Sequence, residues 1–288
     1  MPGAAALRAL TPVECSAYKQ DGFVLVRGLF NAEEMASLRE GFAELSEIVS
    51  GGELRAHYLR DHPPLPGQSG PSSHAPRVFV HVGKDAEADG DSLKHLRKVN
   101  WPAFVHPGFE KVRQSRKWAA LLAPLLGEGG LRQFINQVNF KHPGGDVEFP
   151  WHQDIRDPHV VEPLKHYVQT YLLVDEATEE NGALAVVPGS QLGGARPKPL
   201  GGDWADGAVL VTGQPGDCLL FSTYTIHGSG PNRSGSQRRS YINGFMASAA
   251  AKDSYCVPAF GAEGEPLPLD THGWDYSDLW SLRRAPRM

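Results

Sequence analysis

The sequence predicts a mainly β fold with flanking helices, on three observations. Its 288 residues include 32 glycines and 23 prolines, which favour many turns and short strands. Residues 131–144 and 166–174 alternate apolar and polar side chains, the pattern of half-buried strands. The first 130 residues instead contain stretches with apolar side chains at helical spacing. A helical first part followed by short strands implies a β core that helices brace on one side.

Capping signals mark where the first helices begin. Thr11 is followed by a proline and then by Glu14, a combination typical of a helix start. Asn31 and Glu34 repeat this spacing, and apolar residues recur at helical intervals after them. The elements predicted for this part of the chain are a helix over 11–21, a buried strand over 23–30, a helix over 31–50, a short strand over 78–82 and a helix over 115–126.

The later strands follow one another between glycines and prolines. The stretches GALAVVPGSQ, AVLVTGQPGDCLLFSTYTIHG and RRSYINGFMAS each contain strand patterns, and CLLFSTYTIH is typical of one strand that ends at His227. Neither a fixed-period repeat nor a Pro- or Ser-rich linker divides the chain. We therefore expect one domain over 1–288, with helical support over about 1–130, a β core over about 131–250 and a tail over 251–288.

Composition excludes several classes of partner. The formal net charge of -5 gives no basic footprint of the kind that nucleic-acid binding requires. No apolar run approaches the roughly 18 residues that cross a bilayer, so no membrane partner is expected. Three cysteines at wide, unpatterned spacing indicate neither a disulfide framework nor a cysteine zinc site. We expect a cytoplasmic protein, either a monomer or a homodimer.

The stretch FPWHQD carries the most informative motif. His152 and Asp154 are two residues apart, so on an extended backbone their side chains project to the same side. His227, in TIHGSGPN, is the best candidate for a third metal ligand. Two histidines and one carboxylate on one face of a metal form the facial triad of non-haem Fe(II) oxygenases, which leaves coordination positions open for other ligands.

Five stretches, in this order, carry a resemblance to a known family: DGFVLVRGLF, WHQD, ENGALAVVPGSQ, PGDCLLF and HGSGPNRSGSQRRS. With them the chain resembles the phytanoyl-CoA dioxygenase family of Fe(II)/2-oxoglutarate oxygenases, in particular its ectoine-hydroxylase-like branch. The resemblance implies a double-stranded β-helix, which is a jelly-roll or cupin-like barrel. It also implies Fe(II), 2-oxoglutarate and O2 as cofactor and cosubstrates.

The resemblance assigns site residues as well. His152, Asp154 and His227 are expected to bind the iron. Family members hold the far carboxylate of 2-oxoglutarate with an arginine eleven residues after the second histidine, which here is Arg238 (227 plus 11). Its planar fork suits a carboxylate. Arg239 is the competing candidate, because adjacent strand residues face opposite ways and the register inferred from sequence can be off by one.

Four polar residues complete the expected cosubstrate pocket. Ser229 matches a family position that helps to hold the same carboxylate, and Asn139, Gln137 and Gln169 match positions of polar cosubstrate contacts. For the last three, a polar side chain that is satisfied within or between strands is an equally good interpretation.

The reaction implied is hydroxylation of an unactivated C–H bond in a small metabolite or natural-product intermediate, with release of succinate and CO2. Halogenating relatives replace the carboxylate ligand with a small residue, whereas this chain keeps Asp154, so hydroxylation is favoured. Desaturation, epoxidation and ring closure on the same site stay open. Two further classes compete with this interpretation: a cupin-like metal enzyme, which would lack an equivalent of Arg238, and a non-catalytic binding protein.

Two features bear on the substrate. The basic cluster Lys94, Arg97 and Lys98 either faces an anionic substrate or lies on a solvated surface. Residues 51–105 and 251–288 are expected to shape the substrate pocket, since the resemblance is weakest there.

Overall fold

The computed structural model describes residues 7–50, 79–82, 96–154, 166–195, 206–251 and 257–269. The helices in these residues are α1 (Pro12–Asp21), α2 (Ala32–Ser50), α3 (Pro107–Arg113) and α4 (Lys117–Leu126). The strands are β1 (Phe23–Val26), β2 (Phe79–Val82), β3 (Leu96–Asn100), β4 (Leu131–Lys141), β5 (Phe149–His152), β6 (Tyr167–Leu173), β7 (Ala185–Val186), β8 (Val209–Leu210), β9 (Cys218–Ser222), β10 (His227–Ser229), β11 (Arg238–Ala247) and β12 (Val257–Phe260).

The strands form two antiparallel sheets. The major sheet has eight strands in the order β1-β9-β6-β11-β4-β3-β2, with β12 also paired to β4. The minor sheet has four strands in the order β5-β10-β7-β8. Two sheets of this kind with helices outside them make a jelly-roll barrel. The predicted fold class, mainly β with flanking helices and a double-stranded β-helix, is confirmed.

The major sheet has an apolar core on each face. On its outer face, Phe42 of α2 packs against Phe140 of β4 with ring centroids 5.2 Å apart, and Trp118 of α4 packs against Phe245 of β11 at 5.9 Å. On its inner face, residues such as Ile242 belong to a second cluster that reaches the minor sheet. The helices thus cover one face of the major sheet, and the other face lines the barrel interior.

Both predicted capping signals are present. The Thr11 side chain accepts a hydrogen bond from the Glu14 amide at 3.2 Å, and the Glu14 carboxylate accepts one from the Thr11 amide at 2.9 Å. Asn31 and Glu34 exchange the same pair of bonds at the start of α2, at 3.0 and 2.8 Å. Each exchange satisfies amide groups that a helix start leaves without partners, so both helices begin where the sequence indicates.

The prediction of one strand ending at His227 is wrong. Strand β9 ends at Ser222 in the major sheet, and the chain then turns, with the Thr225 amide donating to the Ser222 carbonyl at 2.9 Å. His227 begins β10 in the minor sheet. The connection passes from one sheet to the other, and the Thr225 hydroxyl holds it by donating to the Gly22 carbonyl at 2.8 Å. The intervening residues contain neither Gly nor Pro, so the alternation conceals the turn.

The predicted division into helical support, β core and tail stays a prediction, but the support and the tail also contribute strands. Within the described residues, β1, β2 and β3 precede residue 131 and join the major sheet, as does β12 from the tail. Helix α3 and strand β3 were not predicted. No helix among the described residues combines the length and apolar character needed to span a membrane.

Candidate metal centre

The three predicted metal ligands meet where two strands of the minor sheet pair. His152 is the last residue of β5, and His227, the first residue of β10, is its direct partner across the antiparallel pair. Asp154 follows β5 by two residues, and its amide donates to the Thr223 carbonyl at 3.2 Å. Strand pairing therefore positions the two histidines, and the turn after β9 fixes the backbone of the aspartate.

The donor atoms of these residues are close enough to share one ion. One ligand atom from each of His152, Asp154 and His227 lies within 4.8 Å of the other two. The Asp154 Oδ1 atom is 3.5 Å from His152 Nε2 and 3.7 Å from His227 Nε2. The side chain of His227 is 6% exposed, whereas those of His152 and Asp154 are 28% and 20% exposed. The cluster is thus buried on the side of His227 and open on the other.

Hydrogen bonds set which ring nitrogens point to the centre. His152 Nδ1 lies 2.7 Å from the Pro150 carbonyl oxygen, and His227 Nδ1 lies 2.9 Å from that of Thr225. A carbonyl oxygen only accepts, so we assign the proton of each neutral ring to Nδ1. Each Nε2 is then the unprotonated ring nitrogen, and both lie within 3.7 Å of Asp154 Oδ1, as metal binding by imidazole requires.

The electrostatics of the cluster suit a cation. Burial raises the pKa of Asp154, but His227 and His152 outweigh this effect and lower it to about 2. Burial lowers the pKa of His227, with Asp154 opposing the shift. At neutral pH the centre thus holds an ionised carboxylate beside a neutral imidazole. Asp154 Oδ2 is buried and has no hydrogen-bond partner in the described structure, so a ligand is needed to satisfy it.

The predicted cosubstrate residues lie on the inner face of the major sheet. Asn139 is paired with Ser240, which is two residues from Arg238 and therefore faces the same way. Gln137 is two residues from Asn139 and donates to its Oδ1 atom at 2.7 Å. Gln169 is paired with Gly244 of β11 and accepts a hydrogen bond from Tyr167. These amides therefore already have protein partners.

The two adjacent arginines occupy different environments. Arg238 is 2% exposed and donates to the Tyr171 hydroxyl, and its Nε is buried with no partner among the described residues. Arg239 lies on the opposite face, where it donates to both Asp175 carboxylate oxygens at 2.8 and 2.9 Å. Its guanidinium also lies 5.4 Å from the ring centroid of Phe42. Of these two arginines, Arg238 is the one that points into the barrel with bonding capacity unused.

Ser229, like Arg238, has a buried polar group without a hydrogen-bond partner among the described residues. It follows His227 by two residues in β10, and its hydroxyl is buried with no hydrogen-bond partner in the described part of the chain. Unpaired donors at Ser229 and Arg238 are costly in a barrel interior unless a ligand accepts from them. Both residues fit the far carboxylate of a 2-oxo acid, because Arg238 Nε and the Ser229 hydroxyl are donors without an acceptor among the described residues.

Two lysines on the inner face were not predicted as part of a site. Lys98 of β3 is paired with Asn139, and its charge is one of the groups that lower the pKa of Asp154. Lys141 of β4 is paired with Arg238 and is fully buried. The alternation of Gln137, Asn139 and Lys141 could have indicated Lys141. Lys98 belongs to the predicted basic cluster, but strand β3 was needed to give its direction; Lys94 lies outside the described residues.

Comparison with known proteins finds a family model and relatives that are all named as dioxygenases. The phytanoyl-CoA dioxygenase family model matches residues 18–240. A 2-aminoethylphosphonate dioxygenase from the uncultured bacterium HF130_AEPn_1 is 33% identical over 278 residues, which cover 92% of this chain and 93% of the relative. A probable alpha-ketoglutarate-dependent hypophosphite dioxygenase from Stutzerimonas stutzeri is 28% identical over 81% of this chain and 77% of its own.

A solved structure shares the fold. The crystal structure of EctD from S. alaskensis with 2-oxoglutarate and 5-hydroxyectoine superposes with a TM-score of 0.63 at 20% identity, covering 93% of this chain and 85% of that one. At 20% identity this structural similarity shows only a shared fold. Family membership is shown by the family-model match and by the 33% identical relative. The chain belongs to the phytanoyl-CoA dioxygenase family of Fe(II)- and 2-oxoglutarate-dependent oxygenases.

Proposed function

We propose that His152, Asp154 and His227 hold the Fe(II) of this oxygenase. Three donor atoms within 4.8 Å of one another support this assignment, together with the two Nδ1–carbonyl contacts that make Nε2 the unprotonated nitrogen of each ring. The unsatisfied Asp154 Oδ2 atom supports it independently. With 2-oxoglutarate and O2, iron in such a site supplies an oxidant strong enough to attack an unactivated C–H bond.

We further propose that Arg238 and Ser229 bind the far carboxylate of 2-oxoglutarate. Their support is burial without an acceptor for Arg238 Nε and Ser229 Oγ. The amides of Asn139, Gln137 and Gln169 are proposed to line the same pocket and to orient the cosubstrate. Arg239 is not proposed for this role, because its guanidinium already donates to both carboxylate oxygens of Asp175.

The proposed substrate is a small organic anion, and a phosphonate is the first candidate. The observation that supports an anionic substrate is the position of Lys98. Its pairing with Asn139 puts Lys98 on the inner face of the major sheet, and its charge lowers the pKa of Asp154. A cation near enough to act on Asp154 favours a substrate with an anionic group near the metal centre. The 33% identical relative, called a 2-aminoethylphosphonate dioxygenase, supports the same class.

The proposed reaction is hydroxylation. Substrate R–H, 2-oxoglutarate and O2 give R–OH, succinate and CO2, with one oxygen atom in the alcohol and one in succinate. The acid at Asp154 supports this outcome, because it occupies the coordination position that halogenating relatives leave to a halide. We also propose that the enzyme works in the cytoplasm as a monomer or homodimer.

The test is substrate-dependent succinate release by iron-loaded protein. The panel contains short phosphonates, carboxylates with the same carbon chains, their uncharged esters and an acyl thioester. Phosphonates are expected to stimulate succinate release above the substrate-free rate, and the esters are expected not to. Stimulation by the esters or the thioester, with no response to any small anion, would overturn the substrate class.

A matched pair of lysine variants tests the role of Lys98. In Lys98→Met we expect KM for the anionic substrate to rise roughly 10- to 100-fold, since a charged hydrogen bond contributes about 1.5–3 kcal/mol. Lys19→Met removes an exposed lysine of α1 and should leave KM unchanged. Equal KM values in wild type and Lys98→Met would remove the reason for preferring an anion.

A further inference from the structure

Lys141 is a buried cation without a buried counter-ion among the described residues. It has no exposed surface, and its strand partner is Arg238, which is 2% exposed. Directly paired residues of an antiparallel sheet project to the same face, so both cations point into the barrel. No ion pair formed within the described part of the chain involves either of them.

The surroundings of the Lys141 ammonium are mostly uncharged. Its Nζ donates to the Gly230 carbonyl and lies 5.7 Å from the ring centroid of Phe149. The charged groups that act on it are Arg238 of β11, Arg97 of β3 and the exposed Glu148, which lies just before β5. Two of these three groups are cations, so the protein itself offers Lys141 little compensation for burial.

This environment makes the ammonium hard to keep charged. Burial, followed by the charge of Arg238, lowers the pKa of Lys141 to about 6, while Glu148 opposes the shift. An ammonium has three donor positions, and the Gly230 carbonyl uses one of them. Two unsatisfied donors belong to residues next to Lys141: Arg238 Nε on its strand partner, and the hydroxyl of Ser229, which precedes Gly230 in the chain.

We propose that Lys141 is a second cationic partner for the far carboxylate of 2-oxoglutarate and makes the site selective for 2-oxo acids with a carboxylate at that end. This inference rests on the proposed function, because it takes the Arg238 end of the barrel as the cosubstrate pocket. A carboxylate has two oxygens and about four acceptor positions, which suits a fork from one side and an ammonium from the other.

The position of Lys141 is also constrained sterically. A Cβ atom added to Gly182 would come within 3.0 Å of Lys141 Nζ and within 2.5 Å of the Gly230 carbonyl oxygen. The absence of a side chain at Gly182 leaves the space in which the ammonium sits. A purely structural role, in which Lys141 ties β4 to the loop after β10, is the possibility that an experiment must separate.

Comparison of two cosubstrates makes that separation. 2-Oxopentanoate has the same chain length as 2-oxoglutarate but carries a methyl group in place of the far carboxylate. Each is titrated anaerobically into Fe(II)-loaded protein, with the visible band of the chelated 2-oxo acid reporting binding. The variants are Lys141→Met and Lys141→Gln, with Lys111→Met, an exposed lysine of α3, as the matched control.

We expect Lys141→Met to weaken 2-oxoglutarate binding roughly 10- to 100-fold, the value of one charged hydrogen bond, and to leave 2-oxopentanoate binding unchanged. Lys141→Gln should behave in the same way, and Lys111→Met should match the wild type for both ligands. Equal weakening of both ligands would assign Lys141 a structural role, and unchanged 2-oxoglutarate binding would also overturn the inference. If wild type binds neither ligand although iron is bound, the proposed function itself fails.

A pH series on the wild type tests the inference without any variant. A carboxylate beside Lys141 favours its charged form, so binding takes up a proton when the free protein starts from neutral lysine. The affinity for 2-oxoglutarate should therefore fall as pH rises above about 6, by up to tenfold per pH unit. The affinity for 2-oxopentanoate, which shares the same metal-binding atoms, should lack this component. Parallel pH profiles for the two ligands would contradict the proposal.

Discussion

The adjacent arginines Arg238 and Arg239 should have separable roles, one in cosubstrate binding and one in stability. The perturbation is Arg238→Met in one protein and Arg239→Met in another, because methionine keeps much of the side-chain volume and removes the charge. Arg238 is buried with an unpaired Nε, whereas Arg239 is paired with Asp175. The same substitution at neighbouring positions should therefore produce opposite results.

The expected magnitudes follow from the contacts. Two charge-assisted hydrogen bonds from Arg238 to a carboxylate are worth about 3 kcal/mol or more together, which corresponds to at least about a hundredfold weaker 2-oxoglutarate binding. Arg239 donates two bonds to Asp175, and both side chains are less than one-fifth exposed. Losing them, together with the contact to Phe42, should reduce the free energy of unfolding by about 2–3 kcal/mol.

Two measurements on each variant give the result. Urea unfolding reports stability, and anaerobic titration of the iron-loaded protein reports 2-oxoglutarate affinity. Arg238→Met should unfold close to the wild-type midpoint, since removal of a buried cation without a counter-ion offsets the lost bond to Tyr171. Weaker 2-oxoglutarate binding in Arg239→Met, with normal binding in Arg238→Met, would refute the reasoning and shift the assigned register by one residue.

Three further substitutions test other parts of the structure. Asp217 accepts from Gly28 and Arg27 at 2.8 and 2.7 Å, so Asp217→Ala should lower the free energy of unfolding by roughly 2–4 kcal/mol in urea. Burial raises the pKa of Asp217, but its hydrogen bonds lower the pKa overall in the folded protein. The stabilisation that Asp217 contributes should therefore be present above its ordinary pKa and be lost as pH falls through its lower pKa in the folded state. A difference in unfolding free energy between wild type and Asp217→Ala that does not change with pH would contradict this. Phe42→Ala leaves a cavity between α2 and the major sheet and should cost about 3–5 kcal/mol by the same method. Asp154→Ala should abolish Fe(II) binding in equilibrium dialysis with an unchanged circular dichroism spectrum, and retained stoichiometric iron would exclude it as a ligand.

Local signals predicted much of the fold. The capping pairs at Thr11 and Asn31 act within one turn, so their positions can be read directly from the sequence. The alternation over residues 131–141 reflects a strand with different environments on its two faces. Strand β3 was not predicted, because it has only five residues without regular alternation and two of them are basic.

The switch between sheets before His227 could not be predicted from local pattern. Strand β9 ends because its partners in the major sheet end there, and β10 begins because β5 and β7 lie beside it. Such pairings join residues far apart in the chain. Alternation continues across the turn and gives no sign that the partners have changed.

The candidate site was predictable where residue type and spacing carry the chemistry. His152 and Asp154 stand out by residue type and spacing, and His227 by its place in a stretch that matches the family. The donor atoms of all three are close together, while their role as iron ligands stays a prediction. Lys141 continues the alternation of Gln137 and Asn139, but it does not stand out as a buried residue, because a lysine at the end of a strand is usually exposed. Its relation to Arg238 depends on pairing between β4 and β11, which sequence alone does not show.

The most direct test of the proposed iron centre is anaerobic titration of the metal-free protein with Fe(II) and then 2-oxoglutarate. We predict a weak visible charge-transfer band that saturates at one 2-oxoglutarate per chain and is absent from His152→Ala. Iron binding without the band in wild type, or an unchanged band in His152→Ala, would contradict the assignment of the metal centre and its cosubstrate pocket.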